Sequence, residues 1–213
     1  MAANITVIRA SVRKDLHDED SSAYRWTDAV LDRHIGRAVN EYAIAQPLEQ
    51  KTTLTATPGS RDISIASLTN LITLDAIEYP TLQFPPSRVG FSQWGLIVTL
   101  DIVGAPTAAD NVFFFWSKMH TLDGSSSSIL PMHDELIAEG AAGYAALDWT
   151  SYATNRVNVG GSDAWGRYSA FANERLRQFR ADLTRLGRNN AVRSRRMFSS
   201  DTPTTFEQGR LKY

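Results

Sequence analysis

The chain has 213 residues, of which 43% are apolar and 21% charged, an ordinary globular composition long enough for one large core or two modest domains. It contains no cysteine, which excludes a disulfide framework, a thiolate zinc site and a cysteine nucleophile. Net charge is −1, so the chain as a whole is neither a basic nor an acidic polymer, but the charge is unevenly spread.

The opening MAANITVIRASVRKDL lacks the long apolar core of a signal peptide. The most apolar runs, GLIVTL (95–100) and VFFFW (112–116), are strand-sized and too short to span a bilayer. A soluble intracellular product is therefore expected, and the Asn4-Ile5-Thr6 sequon reads as a chance match. Ile5, Ile8, Val12 and Leu16 recur at spacings of three and four and predict a short amphipathic helix, ended by the acidic turn HDEDSS (17–22). A second helix starts at Thr27, a good N-cap followed by Asp28 at the positive end of the helix dipole. Trp26 and Leu31 are placed for a hydrophobic staple. Leu31, Ile35, Ala38, Tyr42 and Ala45 form its apolar stripe, with His34 at the border as a half-buried packing residue, and Pro47 ends it.

From about residue 51 the period changes. KTTLTAT, RDISI, LITLDAIEY, GLIVTLDI and NVFFFWSKM are short, β-branched and aromatic, separated by TPGS, YPTLQFPP and VGAPTAADN. Five or six strands at this spacing predict a small antiparallel insert over 51–128, closed by the loop DGSSSS (123–128).

Two more helices follow. The first starts at Pro131 and runs to about Tyr152, with an expected buried face of Met132, Leu136, Gly140, Gly143, Tyr144 and Leu147. The second, capped by Ser162, carries Trp165, Tyr168, Ala172, Leu176, Phe179, Leu183 and Leu186 on one face and is expected to stop at Gly187. The remaining polar stretch, 190–213, has no period and reads as an extended tail ordered only on a partner. The fold class is thus α+β: a domain of about four helices (1–50 and 129–189) split by a β-rich insert (51–128), with an extended C-terminal docking tail (190–213).

His133, Asp134 and Glu135 look like catalytic or metal-binding chemistry. Three successive helical residues, however, point in three directions and cannot converge on one ion. A second histidine four residues on would be needed for a zincin-like pair, and that position is Ile137. Acids in a first turn are what the helix dipole favours, so the run reads as structural. His17, His34 and His120 stand singly, and no nucleophile elbow, phosphate loop or dinucleotide fingerprint is present. No catalytic residue, metal site or cofactor is expected. The glycines of the same helix, Gly140 and Gly143, cost helix propensity, about 1 kcal/mol each, and Ala141 between them adds only a methyl group. They point to close approach by another backbone, from the same chain or an adjacent subunit.

Residues 167–196 hold nine arginines, no lysine and only Glu174 and Asp182 as acids, about +7 on a chain of net −1. Arginine's planar fork suits bidentate contacts to carboxylates or phosphates. The basic run continues through RSRR (193–196) into a tail with spaced aromatics, which suggests docking on a polyanionic partner, either nucleic acid or the acidic face of another protein. Sequence-specific DNA reading is not expected, since no reader motif is visible.

Three segments in order resemble the head-to-tail adaptor (connector) proteins of tailed bacteriophages. VRKDLHDEDSSAYRWTDAVLDRHIGRAVNEYA (12–43) is similar to that family's opening of short helix, Asp-rich turn and second helix. LTNLITLDAIEYPTLQFPP (68–86) resembles the insert of its longer members, where a strand closes on a Val/Ile-Glu-Tyr-Pro turn. LPMHDELIAEGAAGYAALDW (130–149) resembles its return helix, with a Leu/Ile-Pro start, an acidic turn and Gly-Ala-Ala. The resemblance implies a non-enzymatic virion protein, assembled in the host cytoplasm into a homo-oligomeric ring, a dodecamer, below the portal. Its implied partners are the portal protein, neighbouring adaptor subunits, a downstream neck or tail protein, and genomic DNA passing through the channel without sequence-specific binding. It also implies portal docking by the C-terminal arm, here Arg193, Arg195, Arg196, Phe198 and Tyr213. Gly140, Ala141, Gly143, Tyr144, Trp165, Leu176 and Phe179 are expected as helix-packing residues. Competing readings are a stopper or tail-completion protein, a DNA-binding accessory protein using the arginine segment, and a hydrolase using His133 or Glu135.

Overall fold

The computed structural model describes the backbone of residues 3–154 and 164–197, and side chains over 3–151 and 166–190. Among the described residues two compact units result, one formed by 3–48 with the helices that follow residue 118, the other by the strands of 49–118.

The first unit is helical. Its elements are α1 (Ile5–Asp15), α2 (Asp28–Ala45), a single 3-10 turn (Pro131–His133) leading into α3 (Asp134–Thr154), and α4 (Ala164–Met197). Asn4, the sequon residue, caps α1 by accepting from Val7 N, and Thr27 caps α2 by accepting from Val30 N. One core joins Ile8 and Val12 of α1, Leu31, Ile35 and Tyr42 of α2, Ile137 to Ala146 of α3, and Leu176 and Phe179 of α4. No helix among the described residues is long and apolar enough to cross a membrane.

The helix positions were legible; two details differ. The expected α3 face is buried at Gly140, Gly143 and Tyr144, with Leu136 packed against the core, but its ends Met132 and Leu147 are exposed, and Ile137, Ala138, Ala141, Ala142, Ala145 and Ala146 are buried beside it. A single stripe is the wrong template for this helix, because neighbours enclose it on several sides and small residues fill the positions between. Gly187 does not stop α4, which continues to Met197. Its φ is not positive, so it forms no left-handed cap. Instead the bare Cα lies beside the end of α2, where an added Cβ would come within 3.7 Å of Ala45 O. The expected extended tail is therefore helical as far as 197, and the rest of it lies outside the described residues.

The turn between α1 and α2 is organised by one buried cation. Arg13, 6% exposed, donates to Asp18 (2.7 Å), Asp28 (2.7 Å) and the Trp26 carbonyl (3.0 Å), and its guanidinium lies 3.5 Å from the centroid of the Tyr24 ring. Asp18 in turn accepts from the backbone N–H of Arg25 and Trp26. Outside this cluster, Arg9 grips Asp32 with two bonds of 2.8 Å and reaches Asp28 at 3.1 Å. The two buried charges of this turn, Arg13 and Asp18, are thus paired and hydrogen-bonded, the condition under which burial is tolerated.

The second unit is a six-stranded sheet of order β1-β6-β3-β4-β5-β2, where β1 is Leu48–Thr55, β2 Asp62–Ser64, β3 Leu71–Glu78, β4 Arg88–Trp94, β5 Ile97–Asp101 and β6 Asn111–Lys118. The β6–β3, β3–β4, β4–β5 and β5–β2 pairs are antiparallel. Alternate residues Val112, Phe114 and Trp116 of β6, with Ile77, Val98, Leu100 and Ile65, form its own core. Five strands follow the sequence pattern. β4 was not foreseen, since RVGFSQW is mostly exposed and carries no alternation. It exists because both neighbours pair with it, and Gly90 leaves room for Asp101, whose Cβ would otherwise stand 3.3 Å from an added Cβ. The β3–β4 loop is held at its base by Glu78, which accepts from Leu82 N and lies 3.8 Å from Arg88. That loop presents Leu82, at φ 64° and 86% exposed, and Phe84, 98% exposed.

Replacing Arg13 by Ala leaves Asp18 buried without its cation, and a loss of about 3 kcal/mol is expected in urea unfolding. Arg13→Lys should recover only part of it, because an ammonium cannot reach both carboxylates and the carbonyl in the planar geometry of the fork.

Candidate functional site

The segment that looked most like chemistry, Pro131 to Glu139, spends its polar groups on ties within the helical unit. The Tyr42 hydroxyl and His133 Nδ1 share a hydrogen bond of 2.7 Å, and the two rings meet edge to face at 5.4 Å. Burial raises the Tyr42 hydroxyl to about 12 and lowers His133 below the usual imidazole range. Asp134 Oδ2 accepts from Ala3 N at 3.3 Å, holding the start of the chain against the start of α3. Asp134 Oδ1 is buried without a hydrogen-bond partner, while Glu135 is exposed. The three side chains diverge as helical geometry requires, and no group of three or more potential metal ligands occurs among the described residues.

The remaining histidines are tied in the same way. His34 was expected half-buried and is almost wholly so, at 6%, with Asp148 3.6 Å from its Nε2. Desolvation lowers its pKa, and the Asp148 carboxylate opposes that shift. His120 Nε2 donates to the Gln46 carbonyl at 2.8 Å, and Ser128 Oγ lies 3.0 Å from its Nδ1.

The other half of the return helix answers the question of its small residues. A Cβ built on Gly140 would stand 2.9 Å from three atoms of the Phe179 ring, and one on Gly143 would stand 2.9 Å from Leu176 Cγ. The neighbour is therefore α4 of the same chain. Ala141 is fully buried on the same helix. Tyr144, 2% exposed, meets the Phe179 ring nearly perpendicularly at 6.5 Å, lies under the Arg37 guanidinium, and donates to Glu41 at 2.5 Å. Glu139 and Arg175 close the α3–α4 seam at 3.4 Å, and burial raises the Glu139 carboxyl. Of the expected packing residues, Gly140, Ala141, Gly143, Tyr144, Leu176 and Phe179 come together here. The side chain of Trp165 lies outside the described residues.

The arginines divide into two sets. Arg9 faces Asp32 of α2 and Arg13 faces Asp18 of the α1–α2 turn. Arg25 stacks among Trp26, Trp149 and Tyr168, with its guanidinium 4.9 Å from the Trp149 centroid. It also donates to the Tyr168 hydroxyl, fastening the turn to α4. On α4, by contrast, Arg167, Arg177, Arg180, Arg185 and Arg188 are exposed. Arg177 and Arg185 make only short-range pairs, with Glu174 (2.7 Å) and Asp182 (3.1 Å). Arg193, Arg195 and Arg196 continue the helical backbone, but their side chains, like Phe198 and Tyr213 entirely, lie outside the described residues. The aromatic stack on Arg25 was missed in the sequence, where Arg25, Trp149 and Tyr168 are too far apart to signal one another.

Stability should fall as pH drops below about 6.5. His34 and His133 are held neutral in the fold, whereas the unfolded chain protonates them near their ordinary pKa, so it binds more protons in that window. Urea midpoints at pH 7.5 and 5.5 measure the effect, and His133→Gln should shrink the difference. A second expectation concerns Gly140. Gly140→Ala gains at most about 1 kcal/mol of helix propensity but forces the Phe179 ring outward, for which overpacking costs of about 1–3 kcal/mol are typical. A net loss is expected, partly recovered when Phe179→Leu is added in a double-mutant cycle.

No protein family and no curated protein matches the chain. Among solved structures, it is similar to a chain in the neck of an empty GTA particle computed with C6 symmetry. The two share 12% identity at a TM-score of 0.31, over 80% of this chain and 88% of that one.

Proposed function

We propose that the chain is a structural, non-catalytic component of a virion neck: a head-to-tail adaptor that forms a ring below the portal, extends the DNA channel and carries the next neck or tail component. The observation that supports this reading is how the three adaptor-like segments use their signature residues. In 12–43, Asp18 of the acidic turn and Asp28 at the start of α2 are tied to Arg13, and Asp32 of α2 is tied to Arg9. The Glu-Tyr-Pro turn of 68–86 is closed by Glu78, Arg88 and a Tyr79–Asp110 bond of 3.0 Å. The Gly-Ala-Ala run of 130–149 is consumed by packing on α4. Signature residues that serve internal ties are what a scaffold needs; a catalytic site would leave some of them converging on open space.

In this reading the ring is a closed cyclic homo-oligomer, a dodecamer, whose subunit sides are complementary. The segment from Arg193 through Phe198 to Tyr213 docks on the portal. The protein acts in the virion after assembly in the host cytoplasm.

Mixing purified protein with portal and imaging the product tests the proposal. Rings stacked coaxially on portal are expected, and deletion of 190–213 should abolish docking while leaving far-UV helicity of the rest in place. Failure of the full-length protein to associate with portal overturns the adaptor reading. Docking by the truncated chain removes the tail from it.

A further inference from the structure

The charge of α4 lies on the side away from its packing. Ala172, Leu176, Phe179 and Leu183 are buried, and the exposed Arg167, Arg177, Arg185 and Arg188 fall opposite them within a sector of about 80° at 100° per residue. At 1.5 Å per residue this stripe is about 32 Å long. Glu174 takes both Nε (3.0 Å) and Nη2 (2.7 Å) of Arg177, and Asp182 meets Arg185 Nη2 at 3.1 Å; both pairs are exposed to solvent screening, and each guanidinium keeps further N–H groups for another acceptor. Among the described residues, no carboxylate lies within ion-pair distance of Arg167 or Arg188.

What else stands on that face narrows the partner. Asn173, Gln178, Thr184 and Asn189 are exposed hydrogen-bonding residues, and Ala170 and Ala181 add only methyl groups. No large hydrophobic residue of α4 is exposed among the described residues. A protein interface is centred on buried aromatic or aliphatic anchors with charge at the rim, and this face has no such centre. A phosphate backbone asks only for cations and N–H or O–H donors. The length of the stripe matches about one turn of duplex, 34–36 Å.

We infer that the outer face of α4, between Arg167 and Arg188, binds the phosphate backbone of double-stranded DNA without reading its sequence. This goes beyond the adaptor reading and does not need the portal or a ring, so each can fail alone.

The test is fluorescence anisotropy of the full-length protein with a labelled duplex of about two turns, titrated in salt from about 50 to 200 mM. Two duplexes of unrelated sequence should bind alike. The logarithm of the binding constant should fall linearly with the logarithm of salt, with a slope of about −3 to −4 for four phosphates. The triple variant R177Q/R185Q/R188Q should bind at least tenfold more weakly and lose about three units of slope. Lys118→Gln, in the sheet unit, should change neither by more than one unit of slope. Absence of binding at about 50 mM salt overturns the inference. So does a triple variant of unchanged helicity that keeps the parental affinity and slope, or an equal loss in Lys118→Gln.

Discussion

The helical unit depends on one close approach, that of α3 to α4 at Gly140 and Gly143. With no Cβ at either position, the Phe179 ring and the Leu176 side chain rest directly on the α3 backbone. Two glycines cost α3 about 2 kcal/mol of propensity. Burying Leu176 and Phe179 returns about 1.5–3 kcal/mol each, so packing wins. The arrangement also places Tyr144 where Glu41 and Arg37 can satisfy and cover it. On its other sides α3 meets α1 and α2, and the Trp26 indole donates to the Ala145 carbonyl. A helix hemmed in this way has no solvent face from Ile137 to Ala146 except at Glu139, whose carboxylate finds Arg175.

That enclosure explains what could be read from the sequence and what could not. Periodicity located all four helices, because α1, α2 and α4 each bury one stripe. It found only part of the buried surface of α3 and carried it too far at both ends, since a helix surrounded by neighbours has no single stripe and alanine is silent about direction. Alternation located five strands. β4 was invisible because pairing on both sides, rather than burial of a face, makes it a strand. Glycine was read correctly as closeness at Gly140 and wrongly as an ending at Gly187. Only the backbone conformation separates those two uses. The divergence of His133, Asp134 and Glu135 followed from helix geometry alone; their partners, Tyr42 and Ala3, are long-range and carried no local signal.

Arginine has two physical roles in this chain, and the sequence marks them by company. Arg9 and Arg13 stand among Asp18, Asp28 and Asp32, and become crosslinks in the wall of the core. The α4 arginines outnumber the acids near them and remain on the surface. The same guanidinium fork is structural where carboxylates surround it and available where they do not. A chain of net charge −1 can therefore hold a basic face, because most of its acids stand elsewhere in the sequence than among the α4 arginines.

The hydrogen bond between His120 and Gln46 has a further consequence. The helical unit lets the chain go at one residue and takes it back seventy-four positions later, with only 2.8 Å between the two bonded atoms. An excursion whose endpoints nearly touch imposes almost no geometry on its host. The sheet is in that sense a cassette: a lineage could lengthen, exchange or delete it in one step, and the helices would register the change only as a different turn.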